Sequence, residues 1–137
     1  MTASDKDRLW QAAADARQSA YAPYSGFAVG AALLAADGRV FVGCNVENAS
    51  YSPTNCAERT AFFKAVSEGE REFVSIAIVG GMSETINDFC APCGVCRQVM
   101  AEFCDKDFRV IMGNLEHIQT RTLEELLPLS FGKNDLE

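Results

Sequence analysis

The sequence predicts an α/β protein built as a three-layer α/β/α sandwich around a mixed five-stranded sheet. Helix-like and strand-like segments alternate along the chain in the order αββαβαββα. A strand, a helix and a further strand in succession imply a crossover connection, which makes part of the sheet parallel and places helices on both of its faces. The length of 137 residues, without an internal repeat or a linker-like stretch, indicates a single domain over residues 1–137.

The first helix is predicted over Ser4–Ala20, where apolar and alanine residues recur at helical spacing. Ser4 or Asp5 is expected to cap its N-terminus, because a short polar side chain can accept a hydrogen bond from the first helical turn. Trp10 is expected to anchor this helix on the sheet.

Two β-like runs follow, Phe27–Ala35 and Arg39–Asn45. Asp37 and Gly38 lie between them, and an Asp-Gly pair flanked by apolar runs is typical of a β-hairpin whose two central residues both have positive φ. We therefore expect these strands to be antiparallel neighbours.

The second half of the chain contains three predicted helices and three predicted strands. The pattern of apolar residues, caps and turn formers places them at Cys56–Glu68 with Gly69 as C-cap, Phe73–Val79, Cys93–Cys104, Phe108–Met112, Ile118–Thr120, and Thr122–Leu127 with Thr122 as N-cap.

Composition argues against two classes of partner. A formal net charge of −7 would repel a polyphosphate backbone, so a nucleic acid polymer is not expected. No apolar run approaches the ~20 residues that a membrane span needs, and the N-terminal residues do not resemble a secretory leader. We expect a soluble, cytoplasmic protein, in which six cysteines indicate metal binding or chemistry rather than disulfides.

The strongest local motif is Cys93-Gly94-Val95-Cys96, preceded by Pro92 at the start of a predicted helix. Two sulfurs one helical turn apart can bind the same ion, although a redox pair or two buried thiols would have the same spacing. Cys56 also opens a predicted helix, where the dipole favours thiolate over thiol. Three thiolates and one open position suit a catalytic zinc ion, one per chain.

Glu58 follows Cys56 by two residues and would lie beside the metal without ligating it. Such a carboxylate can handle the protons of an attacking water, although a glutamate in a first turn can also simply complement the helix dipole. Its pairing with the cysteines favours the catalytic interpretation, because Cys-x-Glu followed by Pro-Cys-x-x-Cys is typical of zinc-dependent deaminases.

The sequence resembles the small homotetrameric cytidine deaminases over nearly its whole length. The segments that resemble that family are Thr54–Ala61 and Pro92–Gln98 for zinc, Tyr21–Phe27 and Asn45–Tyr51 for substrate, and Leu126-Leu127-Pro128 with Phe131 at the C-terminal end.

This resemblance implies a zinc enzyme of pyrimidine salvage, which hydrolyses cytidine and 2′-deoxycytidine to uridine and 2′-deoxyuridine and releases ammonia. It also implies roles for individual side chains. Phe27 would lie against the pyrimidine, Asn45 and Glu47 would bind the ribose hydroxyls, Ala57 would contact the substrate, Tyr51 and Phe131 would complete a neighbouring subunit's site in a homotetramer, and Arg59 would donate hydrogen bonds to the thiolates.

Three alternatives stay open at this point. A deaminase of an aminoacylated cytosine nucleoside antibiotic, of the blasticidin S type, would carry similar zinc motifs. Cys90, Cys93 and Cys96 could begin an iron–sulfur site, although the usual following cysteine and proline are missing. Four cysteines could instead close a structural zinc site. Packing is the expected role of Cys44 and Cys104, and His117 is expected in a turn, away from the metal.

Overall fold

A computed structural model describes residues 2–87 and 89–136. The helices and strands follow one another as α1 (Ala3–Arg17), β1 (Phe27–Ala35), β2 (Val40–Cys44), α2 (Ala57–Ser67), β3 (Phe73–Met82), α3 (Gly94–Phe103), β4 (Arg109–Asn114), β5 (His117–Thr122) and α4 (Leu123–Leu126), and a short 3₁₀ helix covers Lys133–Leu136. The predicted order of helices and strands is confirmed, apart from the 3₁₀ helix, which the sequence did not indicate.

The five strands form one mixed sheet in the order β2-β1-β3-β4-β5. Only the β3–β4 pair is parallel among the described strands, with Ser75 opposite Arg109, and the other neighbours are antiparallel. Helix α3 supplies the crossover between these two parallel strands, as a parallel connection requires.

Helices cover both faces of the sheet and confirm the predicted three-layer sandwich. The core beneath α1 comprises Leu9, Trp10, Ala13, Ala32, Ala77, Val79 and Ile111. The core on the opposite face joins α2, α3 and α4 to the sheet through residues that include Ala61, Phe62, Met100, Leu123, Leu33, Ile76, Ile78, Val110 and Met112. Burying one large aliphatic side chain stabilises a fold by about 1.5–3 kcal/mol, so this second core is the larger source of stability.

Helix α1 lies unusually close to β1. A Cβ atom on Gly30 would lie 2.0 Å from the carbonyl oxygen of Ala13 and 2.4 Å from the backbone nitrogen of Arg17, so only glycine allows this approach. The Trp10 indole donates a hydrogen bond of 2.9 Å to the carbonyl of Gly113. The expected anchoring role of Trp10 is therefore confirmed.

The predicted bounds of α1 were wrong at both ends. Thr2 is the N-cap instead of Ser4 or Asp5, because its hydroxyl accepts from the backbone of Asp5 while the Asp5 carboxylate accepts from the backbone of Thr2. At the other end the helix stops at Arg17, because the next residues form tighter hydrogen bonds and Tyr21 then bonds to the carbonyl of Asn45.

The predicted hairpin is present, with Leu34 of β1 opposite Val40 of β2. Its turn differs from the expected one, since only Gly38 has positive φ, at 95°, and the connection spans residues 36–39. The Asp37 carboxylate accepts from the backbone of Arg39 and stabilises this longer turn.

Strand β3 extends three residues beyond its predicted end at Val79. Gly80 and Gly81, which end the strand predicted from the sequence, pair with Val29 and Ala28 of β1. Close packing explains both glycines, because an added Cβ would lie 2.6 Å from the Cys90 sulfur at Gly80 and 2.0 Å from a backbone oxygen at Gly81.

Within the described residues, no helix has both the length and the apolar character that crossing a bilayer would require.

Candidate active site

Two helix N-termini meet at the candidate site. Cys56 is the N-cap of α2 and Cys93 is the N-cap of α3, both with extended backbone dihedrals, as the sequence predicted for cysteines that open helices. Neither side chain caps the described backbone of its own helix. Both sulfurs are therefore available to a ligand, in the positive field of the helix ends.

Cys56, Cys93 and Cys96 form a compact cluster. The Cys56 and Cys93 sulfurs are 3.7 Å apart, the Cys93 and Cys96 sulfurs are 3.5 Å apart, and all three lie within 4.8 Å of one another. A tetrahedral zinc ion with Zn–S bonds of about 2.3 Å requires sulfurs about 3.8 Å apart. The cluster is thus positioned to bind one metal ion, and residues 2–87 and 89–136 supply three ligands and leave a fourth coordination position open.

The protonation of the cluster is uneven. A hydrogen bond from the Cys96 thiol and a second from Arg59 lower the pKa of Cys56 to about 5, against the opposing effect of burial. The pKa of Cys96 is raised, because that thiol donates to Cys56 and because it is buried. A thiolate at Cys56 is therefore present at neutral pH before any metal binds, which favours capture of a cation.

Glu58 lies in the first turn of α2 and is only 4% exposed. Burial raises the pKa of its carboxyl to about 7, and a nearby Cys56 thiolate acts in the same direction. A hydrogen bond with Cys96 lowers the pKa and opposes part of this effect. The structure thus brings a buried carboxyl group beside the three sulfurs.

Arg59 follows Glu58 and points its guanidinium at the same cluster. Its Nη2 donates to the Cys56 sulfur over 3.3 Å. Its Nε is buried and has no hydrogen-bond partner among residues 2–87 and 89–136. Arg59 therefore contacts the cluster directly.

Three of the substrate-side residues predicted from the sequence lie at the start of β1 and just after the end of β2, and a fourth, Ala57, begins α2. Phe27 begins β1 and is half-buried against the core, and Ala57 is fully buried at the start of α2. The Asn45 side chain, 9% exposed, accepts from the backbone of Val29 and donates to the carbonyl of Phe27, each over 2.8 Å. Asn45 therefore holds the β1 backbone that carries Phe27.

The Glu47 carboxylate is bound to the turn that precedes β1. It accepts from the backbone nitrogens of Tyr24, at 2.9 Å, and Ser25, at 3.1 Å, and from the Ser25 hydroxyl. The hydroxyl hydrogen bond is the largest contribution that lowers the pKa of Glu47 below its usual range. Glu47 is consequently an ionised group with a defined orientation.

Ser25 is a residue that the sequence analysis missed. Its hydroxyl also accepts a hydrogen bond of 2.9 Å from the backbone of Phe27. Serine hydroxyls commonly bond the backbone two residues ahead in turns, so the Ser-Gly-Phe order was an available signal.

Tyr51 and Phe131 are not brought to the cluster by this chain. Their side chains are 74% and 62% exposed, and Tyr51 adopts a left-handed backbone with φ of 62°. The structure leaves both rings on the surface.

Cys90 lies apart from the metal cluster, although it belongs to the same cysteine run. It is buried in the core beside Gly80, and burial raises its pKa to about 12. Cys104 packs against the same core, whereas His117 begins β5 and is exposed, instead of lying in a turn before that strand. The cluster of three thiols therefore does not extend along the Cys-x-x-Cys-x-x-Cys run.

A family model described as the cytidine and deoxycytidylate deaminase zinc-binding region matches residues 3–112. The chain belongs to this deaminase family. The match spans both helix N-termini of the cluster, so the metal that this deaminase binds is zinc.

Known proteins resemble this deaminase over almost its full length. A cytidine deaminase from Halalkalibacterium halodurans is 53% identical over 133 residues, which cover 96% of this chain and 98% of that protein. One from Sporosarcina psychrophila is 51% identical, with 96% and 95% covered. A crystal structure of cytidine deaminase from Burkholderia pseudomallei is 48% identical, with a TM-score of 0.85 and coverage of 96% of this chain and 100% of that one.

A blasticidin-S deaminase from Bacillus cereus is a more distant relative of the deaminase. It is 32% identical over 110 residues, which cover 77% of this chain and 78% of that protein.

The cluster predicts how zinc content responds to removal of single thiols. We expect Cys96→Ala to bind zinc at least about tenfold more weakly, because one of three sulfurs is lost. Cys104→Ala is the matched control and should keep about one zinc ion per chain, since its thiol packs outside the cluster. Metal analysis after dialysis measures both, and equal zinc retention by the two variants would contradict the assignment.

Proposed function

We propose that this protein hydrolyses cytidine and 2′-deoxycytidine to uridine and 2′-deoxyuridine with release of ammonia. The observation that supports this function most strongly is the buried Glu58 carboxyl beside the cluster of three cysteine thiols. The identity of more than half of the residues to proteins named cytidine deaminase supports this substrate.

Cys56, Cys93 and Cys96 would hold the zinc ion, whose Lewis acidity makes water nucleophilic near neutral pH. Three thiolates around Zn²⁺ carry a summed charge of 2 − 3 = −1, which weakens that acidity relative to a site with a neutral histidine ligand. Arg59 would offset the excess charge through its hydrogen bond to Cys56.

Glu58 would move the protons of the reaction. It accepts one proton from the attacking water and delivers it to N3 of cytosine. It then takes the second proton from the hydroxyl group added at C4 and gives it to the amino group, which leaves C4 as ammonia. Its burial beside the sulfurs supports this role, because a carboxyl shielded from solvent exchanges protons with the reacting atoms instead of with bulk water.

Phe27 would lie against the pyrimidine face, and Ala57 would contact the base from the start of α2. Asn45 and Glu47 would bind the ribose hydroxyls, since the amide and carboxylate offer further hydrogen-bonding positions beyond those used within the chain. The ionised Glu47 and the net charge of −7 favour a nucleoside over a nucleotide, because both would repel a phosphate.

A homotetramer with shared active sites is the assembly that we propose. The surface exposure of Tyr51 and Phe131 supports it, since both rings are accessible to a neighbouring subunit and left-handed residues such as Tyr51 cluster at functional sites. Each ring would then complete a neighbouring subunit's substrate site.

A cytoplasmic location and a place in pyrimidine salvage complete the proposal. All six cysteines are free thiols, which suits a reducing compartment. Conversion of a free nucleoside to uridine or deoxyuridine is a step by which a cell reuses pyrimidines.

Substrate preference tests this function directly. We expect the purified protein to deaminate cytidine and deoxycytidine at least about a hundredfold more efficiently than deoxycytidylate, because a ribose-binding carboxylate rejects phosphate by several kcal/mol. Loss of cytosine absorbance measures each rate. Preference for blasticidin S would instead show that the protein is an antibiotic deaminase. Preference for deoxycytidylate would show that Glu47 does not bind the ribose.

Replacement of Glu58 by glutamine tests the proton-transfer role. We expect Glu58→Gln to lose at least about a thousandfold in kcat, since general acid–base catalysis contributes 10²–10⁴-fold and this carboxyl serves several transfers. Zinc content should stay at the wild-type level, because the amide leaves the three sulfurs in place. A zinc-loaded variant with wild-type turnover would exclude Glu58 from the chemistry.

Replacement of Arg59 tests the charge balance at the metal. Arg59→Ala should weaken zinc retention and lower kcat together, each by about tenfold, because a charge-assisted hydrogen bond to a ligand is lost. Arg71→Ala is the control, since the hydrogen bonds of that exposed side chain within residues 2–87 and 89–136 go to the backbone carbonyls of Val66 and Glu70. Unchanged zinc affinity and rate in the Arg59 variant would show that its contact with Cys56 is incidental.

A further inference from the structure

The Ser25 hydroxyl bridges two residues of the proposed substrate site, through the side chain of one and the backbone of the other. It donates to the Glu47 carboxylate and accepts from the backbone of Phe27. One small group therefore connects the residue proposed for the ribose to the residue proposed for the base.

The turn that carries Ser25 is itself fixed to the segment after β2 that carries Glu47. Tyr21 donates to the carbonyl of Asn45 over 3.0 Å and accepts from the backbone of Glu47 over 2.8 Å. Gly26, with φ of 71°, then reverses the chain so that the Ser25 hydroxyl faces the backbone of Phe27.

Asn45 completes the connection from the other side of Phe27. Its amide donates to the carbonyl of Phe27, while Ser25 accepts from the nitrogen of the same residue. The backbone N–H and carbonyl of Phe27 are thus both bound by side chains, those of Ser25 and Asn45. The position of the Phe27 ring above the sheet therefore depends on these two hydrogen bonds.

We propose that Ser25 is a positioning residue that fixes the ribose-binding carboxylate of Glu47 and the base-stacking ring of Phe27 relative to each other. This inference rests on the proposed function. Ser25 acts on substrate binding through its two neighbours and takes no part in proton transfer at Glu58.

Removing the hydroxyl should change KM more than kcat. We expect Ser25→Ala to raise KM for cytidine about tenfold with kcat changed by less than about threefold, as expected when a hydrogen bond to a charged group is lost. Ser25→Thr keeps a hydroxyl and should restore KM. Ser67→Ala is the matched control, since its hydroxyl donates to the carbonyl of Lys64 at the far end of α2.

A double-mutant cycle tests whether Ser25 acts through Glu47. In a Glu47→Ala background, Ser25→Ala should raise KM by less than about threefold, because coupled residues are not additive. A full tenfold rise in that background, or a loss of kcat and zinc in Ser25→Ala, would overturn the proposal.

An NMR titration of the Glu47 carboxyl carbon tests the same link without enzyme activity. Its signal is identified by its absence from Glu47→Ala. Losing the Ser25 donor should raise the pKa of Glu47 toward its ordinary value, because a hydrogen bond to the ionised form is removed. An unchanged pKa of Glu47 in Ser25→Ala would overturn the proposed contact between the two residues. If the pKa rises but the wild-type protein does not deaminate cytidine, the contact is supported and the proposed function is refuted.

Discussion

The structure depends on the convergence of two helix N-termini at one side of the sheet, where Cys56 and Cys93 occupy the N-cap positions of α2 and α3. Sulfurs 37 residues apart in the chain can share an ion only if both helices start at the same place. Gly43 positions the first helix, because an added Cβ would lie 2.6 Å from the Ala57 carbonyl oxygen and 2.7 Å from the Ala61 nitrogen. The parallel pairing of β3 and β4 positions the second, since α3 must cross between those strands.

Electrostatics then separates the tasks of adjacent residues. Helix ends, the hydrogen bond from Cys96 and the guanidinium of Arg59 favour a thiolate at Cys56, and its negative charge together with burial favours the protonated form of Glu58. A metal-binding anion and a carboxyl that can both take up and release a proton near neutral pH thus lie two residues apart on one helical turn. On the substrate side, hydrogen bonds from Ser25 keep Glu47 ionised, so two carboxyl groups in one site have opposite protonation tendencies.

Much of the fold could be predicted from the sequence, because its signals are local. Apolar periodicity, Asp37-Gly38 and the cap-forming cysteines determine the order of helices and strands and place Cys56 and Cys93 at helix starts. Errors arose where a distant contact overrides local preference: Gly80 and Gly81 read as a strand end until they pair with β1, and α1 stops at Arg17 where the chain is diverted by Asn45. The meeting of Cys56 with Cys93 was predicted from their positions at helix starts and from the Cys-x-Glu and Pro-Cys-x-x-Cys motifs. The hydrogen bond between Glu47 and Ser25 was not, because it joins segments far apart in the chain and leaves no signal in residue spacing.

The central claim is that three sulfurs from two helix starts surround one zinc ion and leave one position for water. X-ray absorption at the zinc edge of the purified protein tests it most directly. The account predicts three sulfur neighbours at about 2.3 Å and one lighter atom at about 2.0 Å. Four sulfur neighbours would indicate a closed structural site. Fewer than three would show that Cys56 does not bind the same ion as Cys93 and Cys96.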